Sequence, residues 1–316
     1  MIRGLKPIIN TPRITIGVDI WCSEILVAVL KYRAVLGYET PIVQRFSSEH
    51  SDTGAFDLGR TLRRAVTDLG LSRRCTAVAA VESSKVVVRQ TSLPTMSDRE
   101  TEAALAHQLP LLVPGSIDDL VFGSVRLGDD SPSGDRNQQR CIVAFTPRPE
   151  MLALYAAFKE ADLPLVSVEL RSVALSRFIF GLPKPNVLPP FGVLMLDETA
   201  AELAVFHGDR LTYARTLVGW NSEGEGSSPD HSLLIQDVRR SLLWCRKCRL
   251  GPEPELLIVL SAEDLDGLCA GLAAEIGITV SRVLPEWLDG HPLMTGATDP
   301  RYAPALGLAV KGGESR

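Results

Sequence analysis

An internal repeat restricts this fold more than any other feature. The segment VDIWCSEILVAV, residues 18–29, lies over LDETAAELAVF, residues 196–206. Asp19 falls on Asp197, and each has a glutamate five residues on, Glu24 and Glu202. In both copies an apolar strand ends at the aspartate, and a turn leads into a second apolar strand. The chain therefore reads as two related halves, each opened by a strand–Asp–turn–strand hairpin.

The remaining pattern supports a mixed α/β reading. In the first half, strands are predicted over 13–20, 24–31, 38–46, 76–81, 85–93, 119–127, 140–146 and 165–170. Helices are predicted over 56–70, 97–112, 149–161 and 171–180, the second opened by a capping box of Ser97 and Glu100. Between them, GDDSPSGDRNQQ (128–139) is a polar surface loop. PKPNVLPP, residues 183–190, carries four prolines and cannot continue a helix or a central strand, so it marks a linker. Beyond it, strands are predicted over 192–196, 202–206, 211–216, 256–260 and 279–283, with helices over 231–250, 264–276 and 302–311. The expected organisation is a first lobe over 1–182 with a small subdomain inserted at about 82–146. A second lobe follows over 191–300, and a final helix within 301–316 returns to the first.

Composition narrows the function classes. Of 316 residues, 45% are apolar and 22% charged, as in an ordinary globular protein. Thirty-three Lys and Arg against 38 Asp and Glu give a formal charge of −5, which argues against nucleic acid as a partner. No apolar run approaches the roughly 18–20 residues of a membrane span, and the N-terminus has no secretory signal pattern. The expected location is cytoplasmic.

No catalytic motif stands out. The histidines, His50, His107, His207, His231 and His291, are scattered singly. Cys22, Cys75, Cys141 and Cys269 are isolated and read as buried thiols. Cys245 and Cys248 form a CxxC inside a helical stretch; zinc would need two more ligands, so helix packing is the ordinary reading. Two helices are basic, one with Arg60, Arg63, Arg64, Arg73 and Arg74, the other with Arg239, Arg240, Arg246, Lys247 and Arg249. Each is either a solvated face or a docking surface for anionic membrane or acidic partners.

Two such hairpins match the duplicated actin-like (ribonuclease H-like) fold, and over about 14–309 the chain resembles the PilM family. The resemblance rests on ITIGVDIWCSEILVAVL, TAVAAVESSKVVVRQTSLPTMSDRETEAALAHQLPLLVPGSIDDLVF, VSVELRSVALSRFIF, LIQDVRRSLLWC, LLIVLSAEDLDGL and RYAPALGLAVK, in order. That family comprises actin-like proteins of type IV pilus machines, related to the cytoplasmic part of GspL and to MshI. The resemblance implies a cytoplasmic protein, peripheral at the inner membrane, that holds the tail of a PilN-like or GspM-like membrane protein. A motor ATPase of the pilus or secretion machine is a further implied partner. The implied groove involves the inserted subdomain, with Val86, Val88, Leu93, Ala103, Leu105 and Leu109 as candidate contacts; subdomain core is their alternative role.

The departures from the family pattern fall in the nucleotide cleft. Where the first phosphate turn has a glycine and a hydroxyl residue, this chain has Trp21 and Cys22, with Ser23 the remaining hydroxyl. Glycine there lets backbone N–H groups approach phosphate. The second turn has Thr199 in the glycine position, beside Asp197, and the adenosine loop reads Ser261 and Ala262. Each lost charge-assisted contact costs roughly 1.5–3 kcal/mol, so two or three losses weaken binding by about a thousandfold. The expectation is a pseudo-ATPase with no cofactor, ATP and Mg²⁺ being disfavoured, and with no resident metal. The alternatives are an ATP-binding ATPase of the same machinery or an FtsA-like cytoskeletal protein.

Overall fold

In a computed structural model, the structure describes residues 13–21, 24–33, 37–47, 56–71, 75–81, 83–112, 119–127, 138–180, 189–196, 200–207, 210–217, 220, 231–248, 250–261, 265–282 and 299–314. Two sheets repeat one topology. In the first, β1 (Arg13–Ile20) pairs antiparallel with β2 (Glu24–Arg33) and parallel with β5 (Thr76–Ala80), which pairs parallel with β9 (Leu165–Glu169). In the second, β10 (Phe191–Leu196) pairs antiparallel with β11 (Ala201–His207) and parallel with β13 (Leu256–Leu260). There β12 (Arg210–Leu217) extends one edge and β14 (Thr279–Ser281) the other. An antiparallel meander followed by parallel strands thus occurs twice, as the repeated hairpins require.

The central strands explain their own placement. β10 is buried along all of its residues, FGVLML, because it carries apolar side chains toward both faces of its sheet. Strands covered on both sides read as continuous apolar runs rather than alternating ones. The first meander differs from the sequence reading in one place. Residues 38–46 form two pieces, β3 (Gly37–Tyr38) and β4 (Ile42–Ser47), both paired with β2. Pro41 between them has no N–H to donate to a ladder, so the strand breaks there.

Helices α1 (Leu58–Asp68) and α3 (Arg148–Glu160) cover one face of the first sheet, packing on Ile16, Val18 and Ala77. Helices α5 (Ser232–Lys247) and α6 (Asp266–Ile276) cover the second, over Leu203, Leu257 and Val259. Between the sheets lie α4 (Arg171–Phe180) and α7 (Tyr302–Glu314), which pack on one another; α7 lies on β1, β2 and β5, and α4 on β11 and β12. Their approach is close. A Cβ on Gly307 would lie 1.9 Å from the Ala174 carbonyl oxygen, and one on Gly17 would lie 1.8 Å from that of Ala305. Thr15 Oγ1 donates to the Ala309 carbonyl at 2.7 Å, fixing α7 against β1.

A third, antiparallel sheet is inserted between β5 and α3. It has β8 (Gln138–Pro147) at its centre, flanked by β6 (Val87–Pro94) and β7 (Leu120–Leu127). Helix α2 (Asp98–Leu112) starts with the reciprocal bonds of a capping box: Ser97 N donates to Glu100 Oε2 at 2.9 Å, and Glu100 N donates to Ser97 Oγ at 3.4 Å. The Pro-rich segment 183–188 and the loop 128–137 lie outside the described residues, whereas residues 138–139 belong to β8.

The helix crossing gives a sharp stability test. Gly307→Ala forces backbone apart and is expected to cost at least about 1–3 kcal/mol in urea unfolding. Gly267→Ala, in α6 with nothing within 4 Å of the added Cβ, should be neutral or stabilising by up to about 1 kcal/mol. Equal effects would contradict this packing.

Candidate functional site

The site begins where β1 ends. Alternation along RITIGVDI puts Asp19 with Thr15 and Gly17 on the face that α7 covers, and its side chain is 0% exposed. A buried carboxylate must be paired or heavily hydrogen-bonded. Asp19 has both oxygens engaged: Arg171 Nε donates to Oδ1 at 2.8 Å, and the Trp21 indole N–H donates to Oδ2 at 2.9 Å. Arg171 also donates through Nη2 to the Ile20 carbonyl at 2.7 Å, and its guanidinium stands 4.5 Å from the Trp21 ring centroid. Trp21 is itself buried. Indole, guanidinium and carboxylate thus form one closed cluster.

A second arginine completes it. Arg301, just before α7, lies 5.7 Å from the same ring centroid and donates to Glu24 at 2.6 Å and to Asp299 at 2.7 Å. Burial pulls its guanidinium pKa down, but the bond and charge of Asp299 and the charge of Glu24 outweigh it, so it stands above the ordinary arginine value. Both arginines sit at helix N-termini, where a cation opposes the helix dipole. Carboxylates offset this at each end. Glu202, buried in β11, accepts from Ser172 N at 3.2 Å on α4, just as Glu24 takes Arg301 before α7. The repeated glutamates therefore each grip the start of a helix between the sheets.

The carboxylate at the end of β1 is thus engaged within the protein. Asp19 has no free oxygen to direct at a cation, and the indole of Trp21 fills the space beside it. Ser261 follows β13, partly buried. Cys22, Ser23, Asp197, Thr199 and Ala262 lie outside the described residues. Among the described residues no group of three or more His, Cys, Asp and Glu could hold a metal ion. Cys245 of the CxxC is buried against the second sheet, and burial, with Cys248 beside it, pushes its thiol up to about 12. A thiol so protonated is a poor nucleophile or ligand.

A groove lies on the other side of β9. It has a volume of about 370 Å³ and is lined by Val121 and Val125 of β7, Phe145 of β8, Val168 of β9, and Leu170 and Val173. Glu169 and Lys311 give it polar contacts. Both β7 and β9 are edge strands of their sheets, so backbone donors and acceptors line a mainly apolar trough.

Apart from Val86, the described candidate contacts read from sequence fall away from this groove. Val86 and Val88 are 5% and 1% exposed and pack in the core shared with the second lobe. That packing is fixed by Gln90 Nε2 donating to the Thr212 carbonyl and Thr216 Oγ1 to the Val86 carbonyl, both at 3.3 Å. Leu93 and Leu105 fill the subdomain's own core with Cys141, Val143 and Phe145. These four are therefore core residues, as apolar side chains at this depth must be, and only Val86 also reaches the groove wall. Ala103 is exposed on α2, and the side chain of Leu109 lies outside the described residues. Arg171 and Arg301 escaped the sequence reading. Their signal was a second repeat, ELRSVAL against DPRYAPA, with arginine three residues into each segment and a helix following.

Breaking the cluster should be costly. Arg171→Ala leaves Asp19 as an unpaired buried charge and is expected to lower stability by about 3–5 kcal/mol. Arg171→Lys, which keeps the charge but loses the planar fork, should fall between. Urea unfolding of the variants measures both, and a loss for Arg171→Ala below about 1 kcal/mol, the value of an exposed pair, would contradict the burial described.

No protein-family model matches the chain, and no curated protein matches it in sequence. Solved structures do. The PilM–PilN type IV pilus biogenesis complex contains a chain that superposes with a TM-score of 0.71 at 18% identity, over 94% of this chain and 98% of that one. The cytoplasmic domain of EpsL, an inner-membrane component of the type II secretion system of Vibrio cholerae, superposes more loosely, with a TM-score of 0.45 at 11% identity over 97% of this chain and 96% of that one. With its duplicated sheets, paired inner helices and inserted third sheet, the chain has the two-lobed actin-like fold in the form found in the PilM–PilN complex.

Proposed function

We propose that this chain is a non-catalytic, actin-like adaptor of a type IV pilus or type II secretion assembly platform. It holds the cytoplasmic tail of a PilN-like or GspM-like inner-membrane protein and links it to the motor side of the machine. The observation that carries the non-catalytic part is the engagement of Asp19 by Arg171 and Trp21. A nucleotide-binding role would require both to release the carboxylate, leaving an arginine buried without its anion. The fold likeness to the PilM–PilN complex supports the choice of machine and of partner. No helix among the described residues is long and apolar enough to cross a membrane.

The groove between β7 and β9 is the docking place in this reading. An extended tail entering it can add main-chain bonds to an edge strand, while Val121, Val125 and Val168 offer apolar pockets for alternate side chains. Groove and cluster are connected through one short run of chain. Glu169 and Leu170 line the groove, and Arg171 follows directly as the partner of Asp19. Glu169 is itself held by Arg177 Nη1 and Nη2 at 2.6 and 3.1 Å, so this groove wall is braced from α4.

Fluorescence anisotropy with a labelled peptide matching the tail of the PilN-like protein from the same genome tests this reading. The expected result is saturable binding that is unchanged by Mg-ATP and weakened at least about tenfold, or 1.4 kcal/mol, by Val121→Asp. Equal binding by the variant, or none by the native chain, would contradict it.

A further inference from the structure

Helix α5 carries a surface that the adaptor reading leaves unused. Its inner stripe, Leu234, Asp237, Val238, Ser241 and Cys245, is buried against the second sheet. Three large apolar side chains point the other way: Leu233, Leu243 and Trp244 are 62%, 51% and 52% exposed. Exposed positions around them carry Arg239, Arg240, Arg246 and Lys247. The helix's only acid, Asp237, is on the inner stripe and faces Arg215 at 3.5 Å.

The charges on this face are not all neutralised. Arg239 is paired with Glu275, and Arg246 with Glu253 at 2.9 Å. Arg240 and Lys247 have no ion-pair partner among the described residues. Leu243 lies three residues after Arg240 and four before Lys247, and Trp244 lies four after and three before, so the cations flank the apolar pair on one helix surface. Helix α1 provides the contrast. Its arginines are matched one by one, Arg60 with Asp57 at 3.7 Å, Arg63 with Glu160 at 3.0 Å and Arg64 with Asp68 at 3.6 Å. Of the two basic helices, only α5 combines unneutralised cations with exposed aromatic and aliphatic groups.

We propose that the outer face of α5 is a docking surface for anionic membrane lipid. Lipid suits it better than a protein partner does. Protein interfaces gather apolar groups into a core depleted of lysine and push charges to the rim. Here cations and large apolar residues alternate along one stripe. That arrangement lets Trp244 and Leu243 enter the headgroup region while Arg240 and Lys247 extend their stems and keep their charges at phosphate level. The chain's overall charge of −5 makes this local excess of cation a property of the face rather than of the composition.

Flotation of the full chain with vesicles tests the proposal, and no peptide partner is involved, so its outcome is independent of the groove reading. Vesicles of phosphatidylcholine alone are compared with an equal mixture of phosphatidylcholine and phosphatidylglycerol. The chain is expected to float only with the anionic vesicles and to be released by salt. Arg240→Glu with Lys247→Glu should lower the bound-to-free ratio at least about tenfold, as two surface cations warrant. Trp244→Ser should lower it severalfold, and Arg63→Glu on α1 should leave it unchanged. Unaltered circular dichroism and melting of each variant establish that the fold is kept. Flotation with neither vesicle, equal flotation with both, or full binding by the double variant overturns the proposal. So does loss of lipid-free self-association in the α5 variants without any change in flotation, which would assign the face to a second copy of the chain.

Discussion

The contact between Asp19 and Arg171 joins the end of β1 to the start of α4, and so ties the first sheet to a helix that packs on the second. A carboxylate buried at the end of an apolar strand must be paired or heavily hydrogen-bonded. Arginine buried at a helix N-terminus, in turn, needs an anion in reach, chiefly because it is buried. Each group therefore meets the other's requirement, and Trp21 closes the remaining side through its N–H and ring face. The cluster thereby links the two lobes through α4.

The duplication extends further than the hairpins. Glu24 and Glu202 hold the beginnings of α7 and α4, and Arg301 and Arg171 precede or begin those helices. Gly17 and Gly307 let the helix pair lie against β1 and against itself at backbone contact distance. The copies have diverged in their surroundings. The first lobe gained a third sheet, whose outer strand β6 packs on β12 of the second lobe and whose other edge, β7, borders the groove with β9.

Most of the fold was legible because its signals are local. Apolar runs, the Ser97–Glu100 capping box and the repeated aspartates each report on a few neighbouring residues, and the elements appear where these patterns place them. The break at Pro41 was visible as a residue, but the β-branched and aromatic residues on either side read as one strand. The site was legible only in part. Trp21 could be seen as the wrong residue for a phosphate turn, but Arg171 lies 152 positions away in sequence and carries no local mark of its burial. Val88 and Leu93 show the same limit: an apolar strand face announces that it will be covered, not whether its own subdomain, the other lobe or a partner covers it. The groove arises where two edge strands meet, a tertiary relation that no single segment encodes.

The account depends on Asp19 being held within the protein rather than by a cation and nucleotide. Isothermal titration calorimetry of Mg-ATP into the folded chain measures this most directly. The account predicts no saturable heat up to millimolar nucleotide. A one-site isotherm with micromolar affinity would contradict it, because Asp19 would then have to leave Arg171 and Trp21 at little cost.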